Sequence, residues 1–189
     1  MRRTEKSASY PGIGLILLAF TAFIALGMPD GVLGVAWPSL RADFGLPLDA
    51  IGLLLAASTA GYLTSTFMSG LLVGRLGIGT LLAASCALTG AGLIGYTLVP
   101  AWWMMVLLGV AAGLGAGAID AGLNTYAAAH FNAGLMQWLH AFYGVGATLG
   151  PVIMTAALTV LHSWRLGYII IGGFQLALAA SFTLTLPVW

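Results

Sequence analysis

The sequence predicts an all-α membrane protein of six transmembrane helices, arranged as two three-helix repeats of inverted topology. Three observations predict this fold class. Hydrophobic residues make up 60% of the 189 residues and charged residues only 6%, against roughly a quarter charged in soluble proteins. Apolar stretches long enough to cross a bilayer as helices separate most of the charges. A short motif also recurs ninety positions further along the chain.

The order of the elements follows from the polar and proline-containing breaks between apolar runs. The predicted spans are 12–40, 49–73, 78–99, 101–129, 134–162 and 165–187. The connections are short, so consecutive helices are antiparallel neighbours within one membrane domain, residues 11–189, that follows an N-terminal segment, residues 1–10. The first apolar run is too long for a removable signal peptide and predicts a retained helix.

The distribution of basic residues predicts the orientation. With the N-terminus in the cytoplasm, the bases near the inner surface are Arg2, Arg3, Lys6 and Arg75, and those near the outer surface are Arg41 and Arg165. The positive-inside rule therefore favours both termini in the cytoplasm. We expect a multi-pass protein of the cell (inner) membrane.

The internal repeat has two matches in one register. Residues 27–33 (GMPDGVL) recur as 117–123 (GAIDAGL), and the triplet 75–77 (RLG) recurs as 165–167. The repeat units are therefore about 11–99 and 101–189. Because three spans are an odd number, the second unit enters the membrane from the opposite side, as in transporters built from inverted repeats.

The repeat contains two acids inside the predicted spans, Asp30 and Asp120. An ionised Asp at the centre of a membrane helix costs on the order of 3 kcal/mol, so it needs a partner, a water-filled cavity or a proton. Both are candidates for proton coupling. A structural alternative stays open for each acid. For Asp120 it is a helix cap or an interhelical bridge, and for Asp30 it is the satisfaction of amides freed by a kink at Pro29 and Gly31.

Further polar and aromatic side chains are candidate substrate-binding residues. Asn124 lies one turn after Asp120 and faces the same way. In the next span an amide, an imidazole and a phenol recur at three-residue spacing. The complete candidate set is Asp30, Tyr62, Asn124, Gln137, His140 and Tyr143, with Trp37 and Trp138 as aromatic members. For His140, a satisfied interhelical hydrogen bond is an equal alternative.

Glycines at four-residue spacing predict close helix packing, since lipid provides no hydrophobic drive for helix association. They are Gly70 and Gly74, then Gly109, Gly113 and Gly117, and finally Gly146 and Gly150.

Two segments carry a family resemblance, residues 113–120 (GLGAGAID) with Asn124, and residues 137–151 (QWLHAFYGVGATLGP). They resemble helices four and five of the N-terminal half of a major facilitator superfamily transporter, closest to the fucose permease-like sugar:proton symporters. The resemblance implies that Asp120 translocates protons and that Asp30 takes part in substrate binding or coupling. It also implies that Asn124, Gln137 and His140 contact the substrate.

The sequence departs from that family in three respects, two of them motifs and the third its number of helices. Residues 70–79 (GLLVGRLGIG) lack the acid and trailing bases of the cytoplasmic motif between helices two and three. The antiporter motif of helix five is only partly present, which favours symport or uniport over efflux. A complete transporter has about twelve helices, so we expect a second six-helix half, either a C-terminal partner or a second copy, with the homodimer favoured because symmetric dimers are the commonest oligomers.

These observations together predict a secondary transporter that moves a small polar solute, a sugar or polyol, with protons by alternating access. The alternatives are an efflux antiporter and a non-transporting receptor or scaffold. An intramembrane aspartyl protease is disfavoured by the residues around Asp30 and Asp120. The sequence predicts no enzyme, cofactor, metal site or nucleic-acid partner, and the single Cys86 excludes a disulfide within the chain.

Overall fold

The structure is a computed structural model that describes residues 12–189, and within that range its secondary structure is helical throughout. The helices are α1 (Ile13–Gly27), α2 (Val32–Phe44), α3 (Ile51–Leu76), α4 (Ile78–Gly95), α5 (Trp102–His130), α6 (Ala133–Val160) and α7 (Trp164–Leu184), with short 3-10 turns at Leu48–Ala50 and Leu186–Val188. Taking α1 and α2 as one broken span, six spans are long and apolar enough to cross a membrane. The six-helix, all-α fold class is confirmed.

The N-terminal segment 1–10 lies outside the described residues, and so do its bases Arg2, Arg3 and Lys6. The predicted orientation rests on those bases and stays a prediction.

The first span differs from the predicted continuous helix over 12–40, because it is interrupted between α1 and α2. Pro29 cannot donate a backbone hydrogen bond, and Gly31 adopts a left-handed conformation with φ of 73°, which glycine tolerates at little cost. α1 therefore ends at Gly27 and α2 begins at Val32. A second left-handed glycine, Gly45, ends α2, so the span runs further than predicted.

Three helix contacts follow the pattern that an inverted repeat requires, whereas the close packing of α4 along α5 has only a much smaller counterpart between α7 and α1. The first span packs through α1 along α6, which is the fifth span. Correspondingly, the fourth span, α5, packs along the second span, α3. The third and sixth spans, α4 and α7, pack against each other. Each unit thus places its first helix against the second helix of the other unit, which brings Asp30 and Asp120 to the middle of the bundle.

Close approach along the two long seams depends on glycine. The glycines at which a methyl group would overlap a facing backbone carbonyl include Gly113 and Gly117 on α5, Gly27 on α1, and Gly146 and Gly150 on α6. The prediction differs at Gly70 and Gly74, where a methyl group would meet nothing within 4 Å. Both glycines are exposed on α3, and their spacing is not used for packing.

An ion pair ties the two units together at one end of the bundle. Arg165, at the start of α7, donates to the Asp43 carboxylate near the end of α2 at 2.8 Å. The Trp164 indole N–H donates to the same carboxylate oxygen at 2.9 Å. Among residues 12–189 this is the one salt bridge, and it is half exposed, so its contribution to stability is small.

Candidate functional site

A cavity of about 750 Å³ lies between the two units and brings the two acids together. This volume is in the range of small-molecule sites. Its polar lining residues are Asp30, Ser58, Thr59, Tyr62, Thr89, Tyr96, Asp120, Asn124, His140, Tyr143 and Tyr168. Apolar residues of α1 and α2, of the break between them, and of α3 to α5 form the rest of the wall, so the cavity combines an apolar surface with a limited number of hydrogen-bonding groups.

Asp120 receives a donor on each carboxylate oxygen. The Tyr62 hydroxyl, from α3, donates to Oδ2, and the Asn124 amide, one turn further along α5, donates to Oδ1 at 2.8 Å. All three side chains are partly buried. The structural alternative of an Asp bridging to a neighbouring helix therefore describes a real contact, but the bridge lies on the cavity wall and not in the packed core.

Asp30 lies in the break between α1 and α2, where its side chain is exposed to the cavity. The Tyr143 hydroxyl, from α6, donates to its Oδ2. The kink expected at Pro29 and Gly31 is present, but the bond found for this carboxylate goes to a different helix and not to the freed backbone amides.

The two acids and their tyrosines form equivalent pairs in the inverted repeat, here called the first acid pair (Asp30 with Tyr143) and the second acid pair (Asp120 with Tyr62). In each pair a glycine three residues before the acid faces the backbone carbonyl of the tyrosine. Gly27 faces that carbonyl in the first pair and Gly117 in the second. The missing side chain lets the helices approach until the hydroxyl reaches the acid.

His140 lines the cavity on α6, one turn before Tyr143. Its ring packs edge-on against Phe23 of α1, with 5.6 Å between the ring centroids. Asn124 and His140 therefore line the same cavity as the two acid pairs.

Three residues of the candidate set lie elsewhere. Trp37 is buried, and its indole N–H donates to the Leu48 carbonyl at 3.2 Å while its ring packs on Trp102. Gln137 and Trp138 are exposed on α6 and outside the cavity lining. Gln137, His140 and Tyr143 share one side of α6, but only His140 and Tyr143 line the cavity, which ends before it reaches Gln137.

The structure adds cavity residues that the sequence did not single out. Tyr96 and Tyr168 are buried at the cavity wall, with their rings edge-on at 5.4 Å. The Thr89 hydroxyl donates to the Ala112 carbonyl at 3.4 Å. Thr89 and Tyr96 sit in an apolar helix without a charge or repeat beside them, and the repeated triplet before Tyr168 does not extend to it, so only the tertiary arrangement identifies these residues.

The chemistry available at the site is that of carboxylates, hydroxyls, amides and one imidazole. Within residues 12–189 no group of three or more His, Cys, Asp or Glu side chains lies together as metal ligands would. Among the described residues that line the cavity there is no lysine or arginine. Such a site can hydrogen-bond a neutral, hydroxyl-rich molecule and can take up or release a proton at either acid.

Comparison with known proteins finds similarity to a family of membrane proteins and to proteins named as transporters. The family model of the Major Facilitator Superfamily matches residues 15–188. The sodium-dependent glucose transporter 1A of Mus musculus is 29% identical over 144 residues, which are 73% of this chain and 33% of that protein. The glucose/mannose transporter GlcP of Bacillus subtilis (strain 168) is 22% identical over 87% of this chain and 41% of its own length.

A third relative, an uncharacterized transporter of Buchnera aphidicola, is 25% identical over 98% of this chain and 45% of its own length. The chain thus spans less than half the length of these relatives. The family match covers nearly all the described residues and every one of the six spans. The chain is a multi-pass membrane protein and belongs to the Major Facilitator Superfamily.

Proposed function

We propose that this chain forms the six-helix half of a secondary transporter that moves a small polar solute, a sugar or polyol, by alternating access with proton coupling at Asp120 and Asp30. The observation that carries the proposal is the convergence of both acid pairs on one cavity. Acids inside a membrane are costly, and a cavity that holds two of them is typical of an ion or proton pathway.

The character of the cavity supports a sugar or polyol as the solute. Hydroxyl, amide and carboxylate groups provide donors and acceptors for a molecule with many hydroxyls, while the apolar wall and aromatic rings match the faces of a sugar ring. The lack of a cationic residue in the lining disfavours a phosphorylated or strongly anionic solute. Two relatives are named for glucose transport, which agrees with this class.

The hydrogen bonds of Asp120 support its role as the proton carrier. As a carboxylate it accepts both the Tyr62 hydroxyl and the Asn124 amide. When protonated it becomes a donor at one oxygen, so one of those two bonds must change. Protonation of Asp120 is thereby linked to the arrangement of α3 against α5, and such a link is what proton coupling requires.

A sodium ion is the second candidate for the coupled ion. One relative is named as sodium-dependent, and a cavity carboxylate can hold Na⁺ as well as H⁺. Efflux by antiport, and a receptor or scaffold without transport, remain alternative functions that the same experiment addresses.

A second six-helix unit completes the proposed transporter. The relatives are more than twice as long as the matched part of this chain. The least buried spans are α3 and α6, with 17% and 22% of their apolar windows inside the bundle, and both also line the cavity. We propose that a second copy or a C-terminal half covers this side. We also propose that the chain lies in the cell (inner) membrane with both termini in the cytoplasm.

The test is uptake of labelled glucose and of a labelled polyol into proteoliposomes under an imposed pH gradient or an imposed Na⁺ gradient. We expect the pH gradient to drive accumulation and Asp120→Asn to abolish it, because the amide cannot carry a proton. Asp49→Asn is the matched control, since Asp49 is exposed in a 3-10 turn outside the cavity. Accumulation that survives Asp120→Asn unchanged, or that follows only the Na⁺ gradient, contradicts the proton-carrier role.

A further inference from the structure

Pro29 leaves one carbonyl of α1 without its usual helical partner. In an α-helix the carbonyl of each residue accepts from the N–H four residues later, and for Ala25 that residue is Pro29, which has no N–H. Ala25 is 1% exposed, so neither water nor lipid can satisfy its carbonyl. A buried carbonyl of this kind is destabilising unless another donor reaches it.

Gln175 supplies the missing donor from another helix. Its side-chain Nε2 donates to the Ala25 carbonyl at 2.8 Å. Gln175 lies on α7 and is itself 1% exposed. Its Oε1 has no hydrogen-bond partner within residues 12–189, so burying the amide carries a cost that an apolar side chain would avoid. The bond to Ala25 is the one interaction that offsets this cost.

The repeat provides an internal comparison. At the offset of ninety positions, Gln175 corresponds to Ser85 on α4, and Pro29 corresponds to Ile119 on α5. Ile119 has a backbone N–H, and α5 runs through this point without a break. The equivalent contact of the repeat, in which Ser85 of α4 faces Gly115 of α5, has neither the proline nor the amide, which ties Gln175 to the break and not to a packing requirement shared by both contacts.

The break determines where the Asp30 side chain points. It occupies the residues from Met28 to Gly31, and the Ala25 carbonyl lies in the last turn of α1 before it. A shift of this turn relative to α7 would move Asp30 relative to Tyr143, since Tyr143 is on a different helix.

We propose that Gln175 is a positioning residue for Asp30: its amide replaces the backbone donor that Pro29 withholds, and so holds the broken span in the geometry that places the first acid pair on the cavity wall. This inference rests on the proposed function only for its effect on uptake. Its structural part is independent of transport.

The first measurement is hydrogen–deuterium exchange of peptides covering residues 24–32 in the full-length protein. Gln175→Met keeps the length and approximate volume of the side chain and removes only the amide. We expect exchange in this segment to rise by about tenfold, which corresponds to about 1.4 kcal/mol. In the uptake assay the pH profile should move toward that of Asp30→Asn.

Restoring the backbone donor gives the decisive comparison. Pro29→Ala returns an N–H to the Ala25 carbonyl, so in that background Gln175→Met should change the exchange rate by less than about twofold, as a double-mutant cycle measures. Ser85→Ala, at the equivalent position of the other unit, is the matched control and should leave exchange of residues 24–32 unchanged.

An equal effect of Gln175→Met with and without Pro29→Ala would show that Gln175 acts through packing alone and would overturn the proposal. The same holds if Gln175→Met fails to fold and Pro29→Ala does not rescue it. If no solute is taken up by any variant, the proposed function fails, while the exchange measurements still decide the role of Gln175.

Discussion

The two cavity acids differ in how many partners hold them. Asp120 has one donor from its own helix and one from α3, and it is partly buried. Asp30 has a single donor, from Tyr143, and its side chain is exposed to the cavity. A solute that enters the cavity can therefore compete for the free oxygen of Asp30 more readily than for either oxygen of Asp120. This supports substrate contact at the first acid pair and proton transfer at the second.

Removing the hydroxyl of the second acid pair should slow coupled uptake. A hydrogen bond to a charged acceptor contributes about 1.5–3 kcal/mol, so we expect Tyr62→Phe to reduce the initial rate of gradient-driven uptake by roughly ten- to a hundredfold. The control is Tyr126→Phe, on the same helix as Asp120 but outside the cavity lining. Rates that fall equally in both variants would contradict a specific role for the Tyr62 hydroxyl.

At the scale of the helices, glycine seams set the separation that the acid pairs need. On the seam between α3 and α5, Gly113 faces the Ser58 carbonyl, one turn from where Gly117 faces that of Tyr62. A side chain at Gly113 would push the helices apart at the level of the cavity. The seam is thus part of the site, and Gly113 itself lines the cavity.

Gly113→Ala should therefore destabilise the protein, because neither backbone on this seam can move away without disturbing its own helix. We expect a loss of about 1–3 kcal/mol, typical of overpacking, seen as a lower melting temperature in a fixed detergent. Gly74→Ala is the opposite case, since its methyl meets open space; it should be neutral or stabilise α3 by about 0.5–1 kcal/mol. Equal melting temperatures for both variants would contradict this account of the seam.

How far the sequence predicts these elements depends on the range of the interactions. Charge and hydropathy are local, so the six spans and both acids are evident from residues such as Asp30 and Asp120. The proline and glycine beside Asp30 predict a kink, but the full break and its Gln175 contact require knowing that α7 packs against α1. The repeat does not show that Tyr62 and Tyr143 are equivalent, because they lie 81 positions apart in the sequence and not ninety.

Aromatic residues show the same limit, because the sequence predicts a site residue that the structure places outside the cavity. Trp37 has the composition expected of a sugar-binding side chain, yet it packs on Trp102 and donates to Leu48. A tryptophan near a helix end is equally suited to packing and to binding, and only its neighbours distinguish the two. Hydropathy assigns packing and solute-binding tryptophans alike to the membrane and does not distinguish those that face the cavity from those that face other helices.

On the scale of the whole molecule, the exposed face of the bundle is the side that the cavity opens onto. α3 and α6 have the least buried apolar windows of the six spans. Leu55 of α3 lines the cavity and is 49% exposed, a position that a second six-helix unit would cover. A cavity open to lipid along one side could not isolate a polar solute, so alternating access requires that second unit.

The assembly in nanodiscs should accordingly have twice the 19.4 kDa mass of the chain if a second copy supplies the missing half. Leu55→Cys should then form a dimer with a bis-maleimide reagent, because two cavity walls would face each other. Leu88→Cys on α4 is the control, with similar exposure of 41% but outside the cavity lining. The native Cys86 is fully buried and should not react. A single-chain mass in a preparation that accumulates solute would contradict the two-unit cavity. If the mass is that of a single chain and no solute is taken up, restoration of uptake by a separate C-terminal half would identify that half as the partner.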